Sequence, residues 1–389
     1  MAVNPERLRE RRDAAAPDLA RTGPGTPMGR FLRRFWTPVC RAADLAAGHA
    51  RPIRIMSENY TLYRGAGGAP HLIDYRCPHR GAQMHLGWVE GDDIRCVYHG
   101  WKFDGSGQCV EQPAEEPGFA RKVRMRSYPA REHLGLIFGY FGDGEPPAFP
   151  PYPAPERDGL VENPAPPVIP CNYLQCFENS LDEVHVSFVH RQGGSHQGMY
   201  DLPDISAEET EWGMIRFGDR DGKRRVSLHY MPNCTRVIVP PMAGFDGAGG
   251  WRELYLNFVP IDDETSQWFI AYHVGVTGAA VAPYLEKREQ YWRKLAAAGP
   301  AQDLAREVMA GRLAFADIRH PDLVRVQDVA VQAGQGAIAD RGNERLGRSD
   351  TAIILWRRIV ARELAALEAG RPLKRWLPAP PEVLPTLGF

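Results

Sequence analysis

No apolar run in the chain approaches the roughly 18–20 residues that a membrane-crossing helix requires; candidates such as residues 133–141 stop far short of it. A helical membrane span is not expected. The first residues (MAVNPERLRERRDAAAPDLA) lack the apolar core of a secretory signal, and Glu6, Glu10, Asp13 and Asp18 set them apart from acid-poor transit peptides. The expected compartment is the cytoplasm. An excess of charge of either sign is missing too. The chain has 47 Lys and Arg against 48 Asp and Glu, a formal net charge of −1, so nothing favours nucleic acid or an acidic membrane as a partner. Cysteine is scarce, at seven in 389 residues, odd in number and spread over residues 40 to 234, which does not make a disulfide framework. Cysteines that do cluster need another explanation.

Glycine and proline, by contrast, are plentiful: 39 and 34 residues, above the usual combined share of roughly 12%. Many turns and short elements follow from that. Ten of the prolines fall in residues 146–170 (PPAFPPYPAPERDGLVENPAPPVIP), a density that supports neither a helix nor a central strand. We place a domain boundary there. Before it, β-prone runs at 60–63, 94–98 and 134–141 alternate with Gly-rich turns, which predicts a small antiparallel β-domain over 36–149. After it, runs at 212–217, 224–230, 235–239, 251–259 and 268–274 predict an antiparallel sheet. Residues 283–313 have a helical composition, and Ile353, Trp356, Ile359, Val360, Leu364 and Leu367 recur at helical spacing. Ser349 or Asp350 is expected to start that last helix and Gly370 to end it. The fold class is α+β: an N-terminal extension (1–35), an all-β domain (36–149), a proline-rich linker (150–170) and a domain with an antiparallel sheet surrounded by helices (171–389).

Two constellations carry chemistry. In the first, Cys77-Pro78-His79 is followed, after sixteen residues, by Cys96-Val97-Tyr98-His99. Two thiolates and two imidazoles could hold a tetrahedral zinc. They also match a Rieske [2Fe-2S] centre, in which two Cys hold one iron and two His the other, because each half offers one of both. His85 and Cys109 lie close by and read as structural, since four ligands are already present. The second constellation is Asn179-Ser180-Leu181-Asp182-Glu183-Val184-His185-Val186-Ser187-Phe188-Val189-His190. Asp182 and His185, three apart, share a helix face. His185 and His190 are about 140° apart on a regular helix, so bringing them to one metal calls for a distorted or π-type turn.

The flanks extend both patterns. Cys-Pro-His-Arg-Gly-Ala with Cys-x-Tyr-His-Gly-Trp-x-Phe, which adds Gly100, Trp101 and Phe103 to the four ligands, resembles the signature of Rieske non-haem iron oxygenases. Asn-x-x-Asp-x-x-His-x4-His downstream of it resembles the second site of the same family. The likeness runs from Gly25-Thr26-Pro27-Met28-Gly29 to the C-terminal helix and is nearest the phthalate dioxygenase-like branch. It implies a Rieske cluster on Cys77, His79, Cys96 and His99, and a mononuclear Fe(II) on His185, His190 and one carboxylate in a facial triad. From Gln327-Asp328-Val329 the resemblance assigns Asp328, with Asp317, Asp322 and Asp340 as rivals. It gives Asp182 the role of a carboxylate bridging His185 to a cluster ligand, His99, of a neighbouring subunit, and puts Asn179 near the iron. An Asn at a helix start is otherwise simply a cap.

The implied activity is that of the oxygenase component of a multicomponent system. It hydroxylates an aromatic, carboxylated substrate with O2 and with electrons that NAD(P)H provides through a flavin/iron-sulfur reductase, with or without a separate ferredoxin. Oxidative O- or N-demethylation of a methoxylated aromatic, with release of formaldehyde, is the alternative within the same chemistry. A non-enzymatic Rieske electron carrier is the alternative outside it, and would need only the first domain. A homotrimer or hexamer is implied. Pocket walls are expected from residues 224–230, 251–274 and the loop 191–200, with His229, Asn257 and His273 as possible anchors that read equally as ordinary sheet residues.

Overall fold

The structure, a computed structural model, describes residues 18–191, 201–241, 245 and 250–386. Its first half is a stack of three small antiparallel sheets: β1 (Trp36–Arg41), β11 (Leu136–Tyr140) and β10 (Ala130–His133); β2 (Ala50–Ile55), β3 (Glu58–Arg64), β4 (Pro70–Asp74) and β9 (Ser127–Tyr128); and β5 (Trp88–Glu90), β6 (Asp93–Arg95), β7 (Lys102–Phe103) and β8 (Cys109–Glu111). The third sheet forms a tip with its own apolar core of Tyr63, Ile73, Met84, Ile94, Phe103 and Met125. Cys77, Cys96 and Cys109 belong to that core. All seven cysteines are free and buried.

The second half is built on a larger antiparallel sheet in the order β12 (Leu160–Glu162), β19 (Ser266–Val274), β18 (Arg252–Pro260), β17 (Cys234–Val239), β16 (Lys223–Tyr230), β15 (Gly213–Arg220) and β14 (Asp204–Glu209), with β13 (Val168–Ile169) also paired to β19. The proline-rich segment is therefore more than a tether, because its β12 and β13 extend this sheet at its edge. There proline costs no central ladder bond. β14 escaped the sequence reading: its charged sequence, DISAEE, is alternately exposed and half-buried, and it is covered by the last helix.

The helices α1 (Pro27–Leu32), α2 (Tyr173–Leu181), α3 (Val184–Val189), α4 (Val281–Ala298), α5 (Ala301–Met309), α6 (Leu323–Ala333) and α7 (Thr351–Glu368) pack around the sheet. The helical stretch expected over 283–313 is divided, since Gly299 adopts φ 80° and Pro300 cannot continue the ladder. In α7 the predicted stripe is buried, and Gly370 follows its end at φ 63°. Trp356 is 1% exposed and its indole donates to Pro232 O at 3.1 Å. Among the described residues no helix is long and apolar enough to cross a membrane.

The two halves are stitched together. The β2–β3 turn donates from Met56 N and Ser57 N to Pro260 O and Ile261 O, both at 2.9 Å. The N-terminal extension lies on the second half: Asn172 Nδ2 donates to Ala20 O at 2.9 Å and the Tyr173 hydroxyl to Leu19 O at 2.8 Å. Both partners sit where α2 begins, so the chain's start helps fix the helix that carries the second constellation.

Candidate functional site

The two loops at the tip share one backbone design. Gly81 N donates to Cys77 O at 3.0 Å and Gly100 N to Cys96 O at 3.1 Å; Cys77 N and Cys96 N are in turn bonded to Ala82 O and Trp101 O, both at 2.8 Å. Each glycine closes its turn with positive φ, 77° and 75°, where a Cβ would be strained. The result sorts the ligands into two layers. Cys77 and Cys96 are buried at 3% and 2% exposure, whereas His79 and His99 are half-buried, their rings 4.5 Å apart.

Cross-bracing holds the pair in place. Trp101 of the second loop stacks on His79 of the first at 4.4 Å and 6°. Arg95 donates to Gly100 O at 2.8 Å while paired with Glu90 and Glu111. The donor set fits a [2Fe-2S] cluster, with thiols on the inner side and imidazoles on the outer. His79 Nδ1 is enclosed without a hydrogen-bond partner, and so is available to a metal. Burial pushes the Cys77 thiol up to about 12, a cost that metal coordination removes by taking the proton outright. His85 stacks on Tyr75 at 5.5 Å and Cys109 is a core residue, as their structural reading predicts.

At the second constellation the expected π-type distortion does not occur. The chain instead breaks at Asp182 (φ −87°, ψ 122°), ending α2, and restarts as the short α3, which His190 terminates. Both histidines follow the break: His185 stands in the first turn of α3 and His190 where the backbone leaves the helix (φ −96°, ψ 10°), with their ring centres 5.4 Å apart. Asp182 Oδ1 accepts from Val184 N at 2.7 Å and His185 N at 3.3 Å, as a cap does. The contact of Asp182 with the His185 ring also differs from the expectation: its main-chain oxygen lies 2.7 Å from Nδ1, while its carboxylate Oδ2 stands 4.0 Å away. With the carboxylate engaged by the first turn of α3, the carbonyl is the nearer acceptor.

Asp328 comes from the middle of α6. Its Oδ1 lies 3.3 Å from His190 Nε2 and 3.8 Å from His185 Nε2. Among the described residues these three form the one group of His, Cys, Asp or Glu whose ligand atoms gather within 4.8 Å. Bonds of about 2.1 Å at right angles would separate facial ligands by about 3.0 Å, so the set fits a metal with little adjustment. The rivals are occupied elsewhere. Asp322 caps α6 through Arg325 N and pairs with the Arg325 side chain, Asp317 accepts from Ala314 N, and Asp340 holds the turn at Gly342 and Asn343.

Asn179 is not a cap, since it lies in the last turn of α2, which Asn172 caps. Its Nδ2 donates to Asp328 Oδ1 at 3.3 Å and is 3.5 Å from His185 Nε2. Burial works to raise the Asp328 pKa, but the hydrogen bond and charge of His190, the charge of His185 and the Asn179 amide together hold it below the usual carboxylate range. Burial pushes His185 down, toward the neutral imidazole that a metal requires.

Several residues around this site went unnoticed in the sequence. Gln175 Nε2 ties α2 to Gln332 O and Gly336 O, at 2.8 and 2.9 Å, and Glu178 receives Arg341 and Arg357. Gln327 Oε1 meets His190 Nδ1 at 3.0 Å. Glu183 is enclosed by Arg216, Arg220 and Arg225. Gln327, beside Asp328, and Glu183, between Asp182 and His185, stood in segments already singled out, but nothing in composition marks a buried amide as an imidazole's acceptor or a carboxylate as the centre of three arginines. Of the possible anchors, His229 Nδ1 bonds Thr235 Oγ1, Asn257 donates to the Tyr152 hydroxyl, and His273 is held by Arg157. All three serve the sheet, and most of the expected loop, residues 192–200, lies outside the described residues.

Comparison with known proteins places the chain in a family. Residues 35–129 match the Rieske [2Fe-2S] domain family. The chain is 32% identical over 369 residues to the 5,5'-dehydrodivanillate O-demethylase oxygenase subunit of Sphingobium sp. (strain NBRC 103272 / SYK-6), covering 92% of this chain and 81% of that one. It is 30% identical to the phenoxybenzoate dioxygenase subunit alpha of Ectopseudomonas oleovorans, over 91% and 86% of the two chains. A solved structure, the NdmA QL mutant of Pseudomonas putida CBB5 with caffeine, shares the fold with a TM-score of 0.67 over 89% of this chain and 94% of that one, at 19% identity. With the cluster loops, the His185–His190–Asp328 group and full-length relatives in hand, the chain belongs to the Rieske non-haem iron oxygenases, as an oxygenase α-subunit.

Proposed function

We propose that the chain hydroxylates a carboxylated aromatic substrate, with His185, His190 and Asp328 as ligands of a mononuclear iron and Cys77, His79, Cys96 and His99 as ligands of the Rieske cluster. The observation that carries the reading is the approach of two Nε2 atoms and one carboxylate oxygen on a single point beside Asn179. When bound, the cluster supplies single electrons and the iron activates dioxygen. The chain's own residues push His185 toward its neutral form, hold the Asp328 carboxylate ionised and brace the cluster loops. NAD(P)H enters only through a separate reductase, with or without a ferredoxin.

O-demethylation is the second reading, favoured by the 32% identical relative, whose name is that of an O-demethylase. Hydroxylation of a methoxy carbon balances as ArOCH3 + O2 + 2 e− + 2 H+ giving ArOCH2OH and H2O. The hemiacetal then separates into the phenol and formaldehyde. The two readings differ only in which carbon the substrate presents.

The working form is a head-to-tail homotrimer, alone or stacked as a hexamer, in which one copy's His99 approaches the next copy's Asp182. Support comes from the apolar residues exposed around the cluster, Leu86, Trp88 and Tyr98 at 55–57%, and from Phe188 at 57% on α3. Such residues gain by burial against a second copy. Turnover by the iron-loaded, reduced protein on aromatic acids with and without methoxy groups tests the function. Formaldehyde with a phenol identifies a demethylase, a hydroxylated ring without formaldehyde identifies a ring hydroxylase, and no product from any of these acids would remove the carboxylated aromatic class.

A further inference from the structure

The two histidines point Nε2 at Asp328 because something holds each Nδ1. For His185 the partner is local, the Asp182 main-chain oxygen three residues back at 2.7 Å. For His190 it is remote, the side-chain Oε1 of Gln327 at 3.0 Å, reaching across from α6. Gln327 is 1% exposed. A neutral imidazole carries one donor and one acceptor, and a carbonyl oxygen can only accept. Nδ1 must therefore hold a proton, which leaves Nε2, the nitrogen that faces the carboxylate, as the one whose lone pair a metal would take. Gln327 and Asp328 are neighbours on one helix, so their side chains leave it about 100° apart, and His190 lies between them: Nδ1 against the amide and Nε2 against the carboxylate oxygen at 3.3 Å.

We infer that Gln327 is the positioning residue that fixes the tautomer and ring orientation of His190 for metal binding, and that its neutrality sets the charge of the centre. The inference rests on the reading of His185, His190 and Asp328 as a metal site. Both imidazoles donate to uncharged oxygens, so Asp328 is the single anionic ligand. A carboxylate in place of Gln327 would keep the acceptor and make His190 a stronger base, as carboxylate–histidine–metal triads do. Removal of the acceptor would take away the contact that fixes which ring nitrogen carries the proton.

The test uses the full chain with its Rieske cluster intact and the mononuclear metal stripped by a chelator. Anaerobic titration with Co(II), followed by its visible d–d bands, gives affinity and ligand field together. Gln327→Leu is expected to weaken Co(II) binding 10- to 100-fold. Gln327→Glu is expected to restore it to within a few-fold and to shift the bands. The cluster spectrum should stay unchanged in both. Co(II) binding by Gln327→Leu at wild-type strength with wild-type bands overturns the inference, as does Gln327→Glu binding no better than Gln327→Leu. If Gln327→Leu fails to fold, unshifted bands in Gln327→Glu overturn it by themselves. Wild-type protein that takes up no Co(II) overturns the metal site beneath it, a result distinct from the other two.

Discussion

Replacement of Glu183 by Gln should cost the second domain much of its stability while leaving shape almost unchanged. Glu183 stands at the α2–α3 break with no exposed surface. Its carboxylate meets Arg216 Nη2 at 2.9 Å, Arg220 Nη1 at closer range and Arg225 Nη1 at 3.8 Å. Arg216, Gly218 and Arg220 alternate along one face of β15, and Arg225 lies opposite Gly218 on β16. Gly218 leaves the space, since a Cβ there would come within 2.5 Å of the carboxylate. Three guanidiniums thus share one buried anion. Burial, then Arg216 and Arg220, hold Arg225 down to about 10 even with Glu183 opposing them. Loss of one partner from a buried ion pair costs about 3–5 kcal/mol, which at 2–4 °C per kcal/mol for a domain of this size is a fall of roughly 6–20 °C in Tm. Differential scanning calorimetry of the holoprotein reads it. Burial raises the Glu183 pKa, but the three arginines outweigh it and the folded value lies below the unfolded one. Its contribution is therefore present above the unfolded value of about 4.3 and is lost as pH falls through the folded value. The gap between wild type and variant should be flat from about pH 6 to 8 and shrink in acid. An unchanged Tm at pH 7 would refute the argument, since it would mean that the carboxylate does nothing for the arginines.

Asp328→Ala should lose the mononuclear iron while the visible spectrum of the cluster persists; iron analysis with equal occupancy in wild type and variant would move the ligand elsewhere. Asp182 combines a cap and a charge, which two variants separate. Asp182→Asn keeps an acceptor for Val184 N and His185 N and so should melt near wild type, whereas Asp182→Ala should lose about 1 kcal/mol. If the carboxylate couples neighbouring subunits, both variants keep both metals, and both lose turnover. Full turnover in Asp182→Asn would leave Asp182 with the cap alone.

How legible each site is follows from how locally it is built. In the tip, the ligands Cys77, His79, Cys96 and His99, the closing glycines Gly81 and Gly100 and the brace Trp101 all fall within one short stretch, and the turns that hold them use nearest-neighbour hydrogen bonds. Spacing therefore marked the four residues, and the flanking residues resembled the Rieske signature closely enough to choose the cluster over zinc. In the second site the pair His185 and His190 was visible, yet its geometry was not. A period of 3.6 residues puts them 140° apart, and the chain's answer is a helix of six residues that ends at His190; its start, the break at Asp182 and Glu183, is held by arginines on β15 and β16 that no local pattern connects to it. Asp328 was assigned through family likeness, because nothing in its own neighbourhood separates it from Asp322, which proves to be the helix cap. β14 was missed because its Glu209 is satisfied from afar, by Arg362 and Lys374.

The same contrast predicts what metal removal does. Two chain segments more than a hundred residues apart meet at the proposed metal site, and they are clamped on either side of it: Gln175 to Gln332 O and Gly336 O, and Glu178 to Arg341 and Arg357. The clamps leave His185 Nε2 3.8 Å from Asp328 Oδ1, wider than the about 3.0 Å of adjacent ligands on one metal. An ion held by His185, His190 and Asp328 together would resist separation of α6 from α3. A ligand held only by the folded state stabilises it by about 2.7 kcal/mol at a hundredfold excess over Kd. Chelation of the mononuclear metal should lower the Tm of the second domain, and added metal should raise it with the logarithm of its concentration, while the tip, held by its own turns, keeps its cluster absorbance to the same temperature. A Tm independent of metal concentration would mean that no metal binds the folded chain in preference to the unfolded one, and would remove the metal reading of His185, His190 and Asp328.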